Sequence, residues 1–155
     1  MCAVLSKAKA LPVAYVDIGF FTHATEDEDK VLKAVRNLLP SVHVEDVVFE
    51  KSSLRGHHGN PIVLFEAKIM DKAVVKAVVE RLASNLTALD KETLLNEIGL
   101  HLEKGSFFIR LDKQEASEGS FKLATADPIR FRLRFKKNRL EDAVAICREI
   151  GMLPT

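Results

Sequence analysis

The eight residues Ile129-Arg130-Phe131-Arg132-Leu133-Arg134-Phe135-Lys136 alternate strictly between apolar and cationic side chains. Alternation with period two places all the apolar residues on one face of a strand and all the cations on the other. Same-face residues recur about every 6.7 Å, so Arg130, Arg132, Arg134 and Lys136 form a close stripe of like charge. Such a stripe slightly destabilises a fold unless something negative answers it, and a phosphate backbone would do so. Arginine at three of the four positions suits bidentate phosphate contact and stacking on bases. The plain alternative is a solvated strand face paired with acidic neighbours.

The remaining chain supplies a sheet for this strand to join. Val13 to Thr22 is rich in valine, isoleucine and aromatics, apolar on both faces in places, and reads as a central strand. Val47 to Lys51 and Pro61 to Lys68 read as a hairpin, and Phe107 to Leu111 as a further strand, with a short strand around Phe121 to Ala124. A helix follows the first strand. Thr25 and Glu28 have capping-box spacing, Val31, Leu32, Val35, Leu38 and Leu39 share one face, and Pro40 stops it. Asp71 and Asp90 are candidate caps for two more helices, one burying Val74, Val75, Val78, Val79 and Leu82, the other running through Leu94, Leu95 and Ile98 to about Leu102, where Gly105 ends it. The polar stretch from Asp112 to Gly119 reads as a hairpin loop. Asn138 with Glu141 starts a last helix that buries Leu140, Ala143, Val144, Cys147 and Ile150 and closes at Gly151. This order predicts an α+β fold, an antiparallel or mixed sheet with helices packed mainly on one face, forming a single domain over residues 1–155.

A second candidate site is Arg55-Gly56-His57-His58-Gly59-Asn60-Pro61. Two glycines and an asparagine mark a loop whose backbone can approach a ligand. His57, His58 and Asn60 are placed to contact a base or phosphate there, with Arg55 beside them. The two adjacent histidines lack HxH or HxxxH spacing, and the other ligands zinc needs are not identifiable. Arg110 and Lys113 extend the basic surface, or pair with Asp112 and Glu115. The acids of Thr25 to Lys30, near His23, are explained first by helix capping and the helix dipole.

Composition narrows the classes further. Of 155 residues, 47% are hydrophobic and 29% charged, enough for a core and a soluble surface. The net charge is only +1, so polyanion binding must rest on sorted rather than total charge. Cys2 and Cys147, the two cysteines, have no CxxC spacing, which fits a reducing compartment. No stretch suits a bilayer span, and Lys7 and Lys9 interrupt any signal-peptide plan, so a cytoplasmic protein is expected. Walker, GxGxxG, GxSxG and HExxH motifs are absent, so no catalytic residue, cofactor or metal is assigned.

Three segments carry a family resemblance: His23-Ala24-Thr25-Glu26-Asp27 with Lys30-Val31, Gly56-His57-His58-Gly59-Asn60-Pro61-Ile62, and Arg110 to Ala116. In this order they resemble an archaeal RNA-binding family described as a predicted exosome subunit. The Gly-His-His-Gly-Asn-Pro segment is the specific one. The resemblance implies an α+β fold similar to ribosomal protein L5 of the large subunit, RNA binding, an archaeal source, and roles for Gly56 to Pro61 and Arg110 to Ala116.

The expectation is therefore a non-catalytic RNA-binding protein, with exosome or other RNA-processing partners and no membrane role. Its site residues are Arg55, His57, His58, Asn60, Arg110, Lys113, Arg130, Arg132, Arg134 and Lys136. The alternatives are an interaction subunit that dimerises or binds protein without touching RNA, and a metal-assisted phosphoesterase built on His57, His58 and the acids near His23.

Overall fold

The computed structural model describes residues 11–56, 58–136 and 140–155. Cys2, His57 and the expected capping box of Asn138 with Glu141, together with the side chain of Leu140, fall outside what is described.

Six strands form one sheet: β1 (Val13–His23), β2 (Glu50–Arg55), β3 (Pro61–Ile69), β4 (Leu102–Glu103), β5 (Ser106–Leu111) and β6 (Ile129–Phe135). Their order across the sheet is β2-β3-β1-β6-β5-β4. Every neighbouring pair is antiparallel. The first strand of the sequence is thus a central one, paired on both sides, as its two-faced apolarity requires.

The helices are α1 (Glu28–Asn37), α2 (Lys72–Asn85), α3 (Ala88–Asn96), α4 (Ile98–His101), α5 (Lys113–Ser117) and α6 (Leu140–Glu149), with a 3-10 segment at Ser41–Asp46. Among the described residues no helix is long and apolar enough to cross a membrane. Val16, Ile18 and Phe20 of β1, Phe107, Ile109 and Leu111 of β5, and Phe131, Leu133 and Phe135 of β6 form the buried sheet face. Val31 and Val35 of α1, Val74, Val75, Val78, Val79 and Leu82 of α2, and Ala143 and Cys147 of α6 join the same core. Each buried Leu, Ile, Val or Phe contributes roughly 1.5–3 kcal/mol of transfer free energy. Phe20 adds a stacked contact with Phe65, ring centroids 5.1 Å apart.

Several local expectations are corrected. The cap of α1 is Asp27, whose carboxylate accepts from the N–H groups of Asp29 and Lys30, rather than Thr25. Glu26 instead reaches back to accept from the His23 N–H. Asp90 is the third residue of α3 and closes a reciprocal capping box on Thr87, which is the true cap. The helix run breaks at Glu97, and Gly105 turns a hairpin rather than ending a helix. Lys104 (φ 47°) and Gly105 (φ 82°) are the two central residues between β4 and β5, and a two-residue hairpin of this kind needs positive φ at both. The first hairpin strand begins at Glu50 and runs to Arg55, later than the apolar run suggested. The polar stretch after β5 is not a hairpin loop. Asp112 caps the short helix α5 through the Glu115 N–H, and Leu123 forms an isolated bridge back to Leu111.

Candidate nucleic-acid interface

The sheet face away from the core carries every second residue of each strand. Register fixes its rows. Gly19 of β1 lies between Glu66 of β3 and Arg130 of β6, and Arg110 of β5 faces Arg130. The next row holds Lys68, Asp17, Arg132 and Phe108, and the one after it Tyr15, Arg134 and Ser106. Most of these side chains are half-buried or exposed, Ser106 excepted. Arg130, Arg132 and Arg134 share this open face, as their period-two spacing requires. Lys136 lies beyond β6 with an exposed side chain, and its backbone N–H donates to the Pro12 carbonyl.

The three arginines of β6 differ in what already holds them. Arg132 donates from Nε to Ser106 Oγ at 2.9 Å and from Nη1 to Asp17 Oδ2 at 3.3 Å. Arg134 Nη1 donates to the Lys104 carbonyl at 2.7 Å. The Arg130 side chain has no hydrogen-bond or ion-pair partner among the described residues, and its Nε is buried without one. Its guanidinium lies across Gly19, where an added Cβ would come within 3.0 Å of Nη2. A side chain at position 19 would therefore push the Arg130 guanidinium aside. Across from it, Arg110 donates to the Leu100 carbonyl at 3.3 Å and covers the Phe108 ring at 5.2 Å, with no carboxylate paired to it among the described residues. The two residues are register partners, but their guanidiniums diverge, that of Arg130 over Gly19 of β1 and that of Arg110 over Phe108 toward Leu100, so the face carries two positive spots.

The loop between β2 and β3 is closed by its own backbone. The Gly56 N–H donates to the Asn60 carbonyl, the Gly59 N–H to the Gly56 carbonyl, and Gly59 takes φ +80°. Arg55 Nη1 donates to the Gly59 carbonyl at 3.2 Å, so its guanidinium folds over the loop. The side chains of His58 and Asn60 are exposed.

Lys113 is not on the arginine surface. Its side chain is only 14% exposed, and its ammonium bonds the Phe21 carbonyl at 2.6 Å, Asp127 Oδ2 at 2.8 Å and Glu26 Oε1 at 3.2 Å. His23 Nε2 lies 3.2 Å from Asp127 Oδ1 on the other side of that carboxylate. His23, Glu26 and Asp127 bring potential metal-ligand atoms within 4.8 Å of one another. The lysine already pairs with both carboxylates, so a divalent ion would have to displace it.

This cluster gathers the segments that carry the resemblance. His23 ends β1 and Glu26 follows it, Lys113 begins α5, and Asp127, at φ +47°, precedes β6. Register puts the Gly56–Asn60 loop at the same end of the sheet, since His23 pairs with Ile62 and Arg55 with Pro61. Sequence reasoning missed Asp17, Ser106, Gly19 and Phe21. Period-two alternation along β1, with Val16, Ile18 and Phe20 inward, carried the signal for Asp17, Gly19 and Phe21. Ser106 and Asp127 had no local signal, because their partners lie far away in the chain.

A family model described as RNA binding matches residues 15–135. The RNA-binding protein PAB1135 of Pyrococcus abyssi is 36% identical over 124 residues, covering 78% of this chain and 80% of that protein. Among solved structures, protein AF2318 from Archaeglobus fulgidus, a DUF54 family protein, superposes with a TM-score of 0.78 at 26% identity, covering 89% of this chain and 99% of that one. Mth689 from Methanothermobacter thermautotrophicus, also a DUF54 protein, gives 0.73 at 26% identity, covering 90% and 98%. The match across 15–135, together with these relatives, shows that the chain belongs to this RNA-binding family.

Proposed function

We propose that this protein binds RNA without catalysis, holding phosphates on the open sheet face through Arg130 and Arg110. The observation that carries the reading is the Arg130 guanidinium, which has no ion-pair or hydrogen-bond partner among the described residues and a buried, unsatisfied Nε. A phosphate oxygen would answer its charge and take donors that the protein leaves unused. Arg134 and Lys136 lengthen the track, and the loop of Arg55, His58 and Asn60 borders it at the far end of the sheet. Arg132 is largely committed to Asp17 and Ser106 and contributes less. Belonging to an RNA-binding family supports the same reading. Exosome or other RNA-processing partners, and likeness to ribosomal L5, rest on the family resemblance alone.

Titration of a labelled RNA at several salt concentrations tests this. Arg130→Gln is expected to weaken binding and lower the salt slope by about 0.7–0.9, the loss of one phosphate contact, with Arg132→Gln acting less. An unchanged slope in Arg130→Gln removes that contact from the model.

One observation favours a second reading, a dimerising subunit. The row of Arg110, Arg130 and Gly19 continues into Glu66 and Glu50. A second copy turned about an axis along β1 would set arginines against glutamates. Light scattering across concentration decides between the two readings: a dimer that RNA does not dissociate favours this one.

A further inference from the structure

Among the described residues, three aromatic side chains lie on the open face: Tyr15 and Phe21 of β1 and Phe108 of β5. Two are already covered by cations. Lys68 Nζ sits 4.3 Å from the Tyr15 ring and the Arg110 guanidinium 5.2 Å from that of Phe108. Phe21 has no ring contact among the described residues and is 41% exposed, on a central strand where a phenylalanine would ordinarily be buried. Its register neighbour on β3 is Leu64, and the next row toward the loop holds Ile62 and Leu54, so the ring stands at the rim of an apolar strip. On its other side Gly19, two residues back on the same face, lies under the Arg130 guanidinium. A bare ring and an uncommitted cation thus stand side by side, about one same-face repeat apart. The Phe21 backbone is fixed from behind, since Lys113 holds its carbonyl and is itself clamped by Glu26 and Asp127.

We infer that the RNA taken by this face is single-stranded and that Phe21 is the platform on which one unpaired base stacks. The inference rests on the RNA-binding reading and specifies its substrate. A nucleotide has the two parts this arrangement fits, a flat apolar base for the ring and a phosphate for Arg130. In a duplex both faces of each base are covered by their neighbours, so a ring platform can take only an unpaired one. A wholly apolar protein segment could cover Phe21, Leu54 and Ile62 but would leave Arg110 and Arg130 without a counter-charge, so charge complementarity favours the nucleic acid over it; a second copy, whose Glu66 and Glu50 would answer the arginines, is an outcome that the test separates. The strip also carries Glu66 and Glu50 on the β2 side, which directs the phosphates toward β6 and β5.

The test uses the whole chain with a labelled oligoadenylate of about twelve nucleotides and a blunt-ended RNA duplex of about twelve base pairs. The wild type is expected to bind the strand more tightly than the duplex. Phe21→Ala should weaken strand binding about tenfold with the salt slope unchanged, and Phe21→Trp should restore it. Circular dichroism of both variants checks that the half-exposed site tolerates the change. Equal strand affinity in wild type and Phe21→Ala, or no recovery in Phe21→Trp, overturns the stacking role while leaving the arginine reading standing if Arg130→Gln still lowers the slope. Loss of a wild-type dimer in Phe21→Ala would make the patch a self-interface and overturn the inference. No salt-dependent binding of either RNA by the wild type would overturn both readings.

Discussion

The Lys113 ammonium lies 2.6 Å from the carbonyl oxygen of Phe21, 92 residues earlier in the chain. This bond ties the start of α5 to the end of β1, and the same nitrogen closes on Glu26 and Asp127. Replacing Lys113 with Met removes the charge but keeps the bulk. It leaves two partly shielded carboxylates facing one another and a backbone acceptor without its donor. A loss of about 2 kcal/mol is expected in urea unfolding. A change below a few tenths of a kcal/mol would show that the cluster is solvated rather than cohesive.

Gly19→Ala separates stability from binding. The added Cβ would meet the far end of the Arg130 side chain at 3.0 Å, and that end can swing away. Stability should therefore change by less than about 1 kcal/mol, while RNA affinity falls as Arg130 leaves its position. If RNA titration gives the wild-type affinity, the position of Arg130 across Gly19 is irrelevant to binding.

The start of α1 distinguishes two residues that look alike as caps. Asp27→Ala should cost about 1 kcal/mol because it strips the acceptor from the N–H groups of Asp29 and Lys30. Thr25→Ala should cost a few tenths at most. Thermal melts of the two variants suffice, and equal losses would place the cap at the wrong residue.

Cys147 is fully buried, and burial pushes its thiol up from an ordinary 9.0 to about 12. The native state keeps a proton that the unfolded chain sheds near pH 9. The contribution is therefore complete below pH 9 and is lost as pH rises toward 12, at about 1.4 kcal/mol per pH unit within that window. Urea midpoints at pH 8 and pH 10.5 should diverge more in the wild type than in Cys147→Ala. Matching pH dependence would show that the thiol titrates freely in the folded protein. Iodoacetamide at pH 8 should likewise modify Cys147 only slowly until the protein is unfolded.

The elements legible in the sequence were those whose cause is local. Period-two alternation fixed which face each β6 residue takes. Val74, Val75, Val78, Val79 and Leu82 declared a buried helical stripe, and Asp71 its cap. The errors were also local in kind. Thr25 and Asp27 both have capping chemistry, and only the backbone angles at the turn decide between them. Asp112 to Gly119 is polar enough for a loop, yet Asp112 can cap a helix whose single buried residue, Ala116, docks on the core.

By itself, the sequence determined the α+β class and a sheet with one cationic face, because side-chain direction in a strand follows from position alone. Tertiary structure decided which of those cations have unused donors. Asp17 and Ser106 reach Arg132 across neighbouring strands, and Glu26 and Asp127 take Lys113 out of the basic surface. Arg130 is left over Gly19 beside the bare ring of Phe21. Such pairings depend on strand order and register, which bring together residues about a hundred positions apart and which no local pattern encodes.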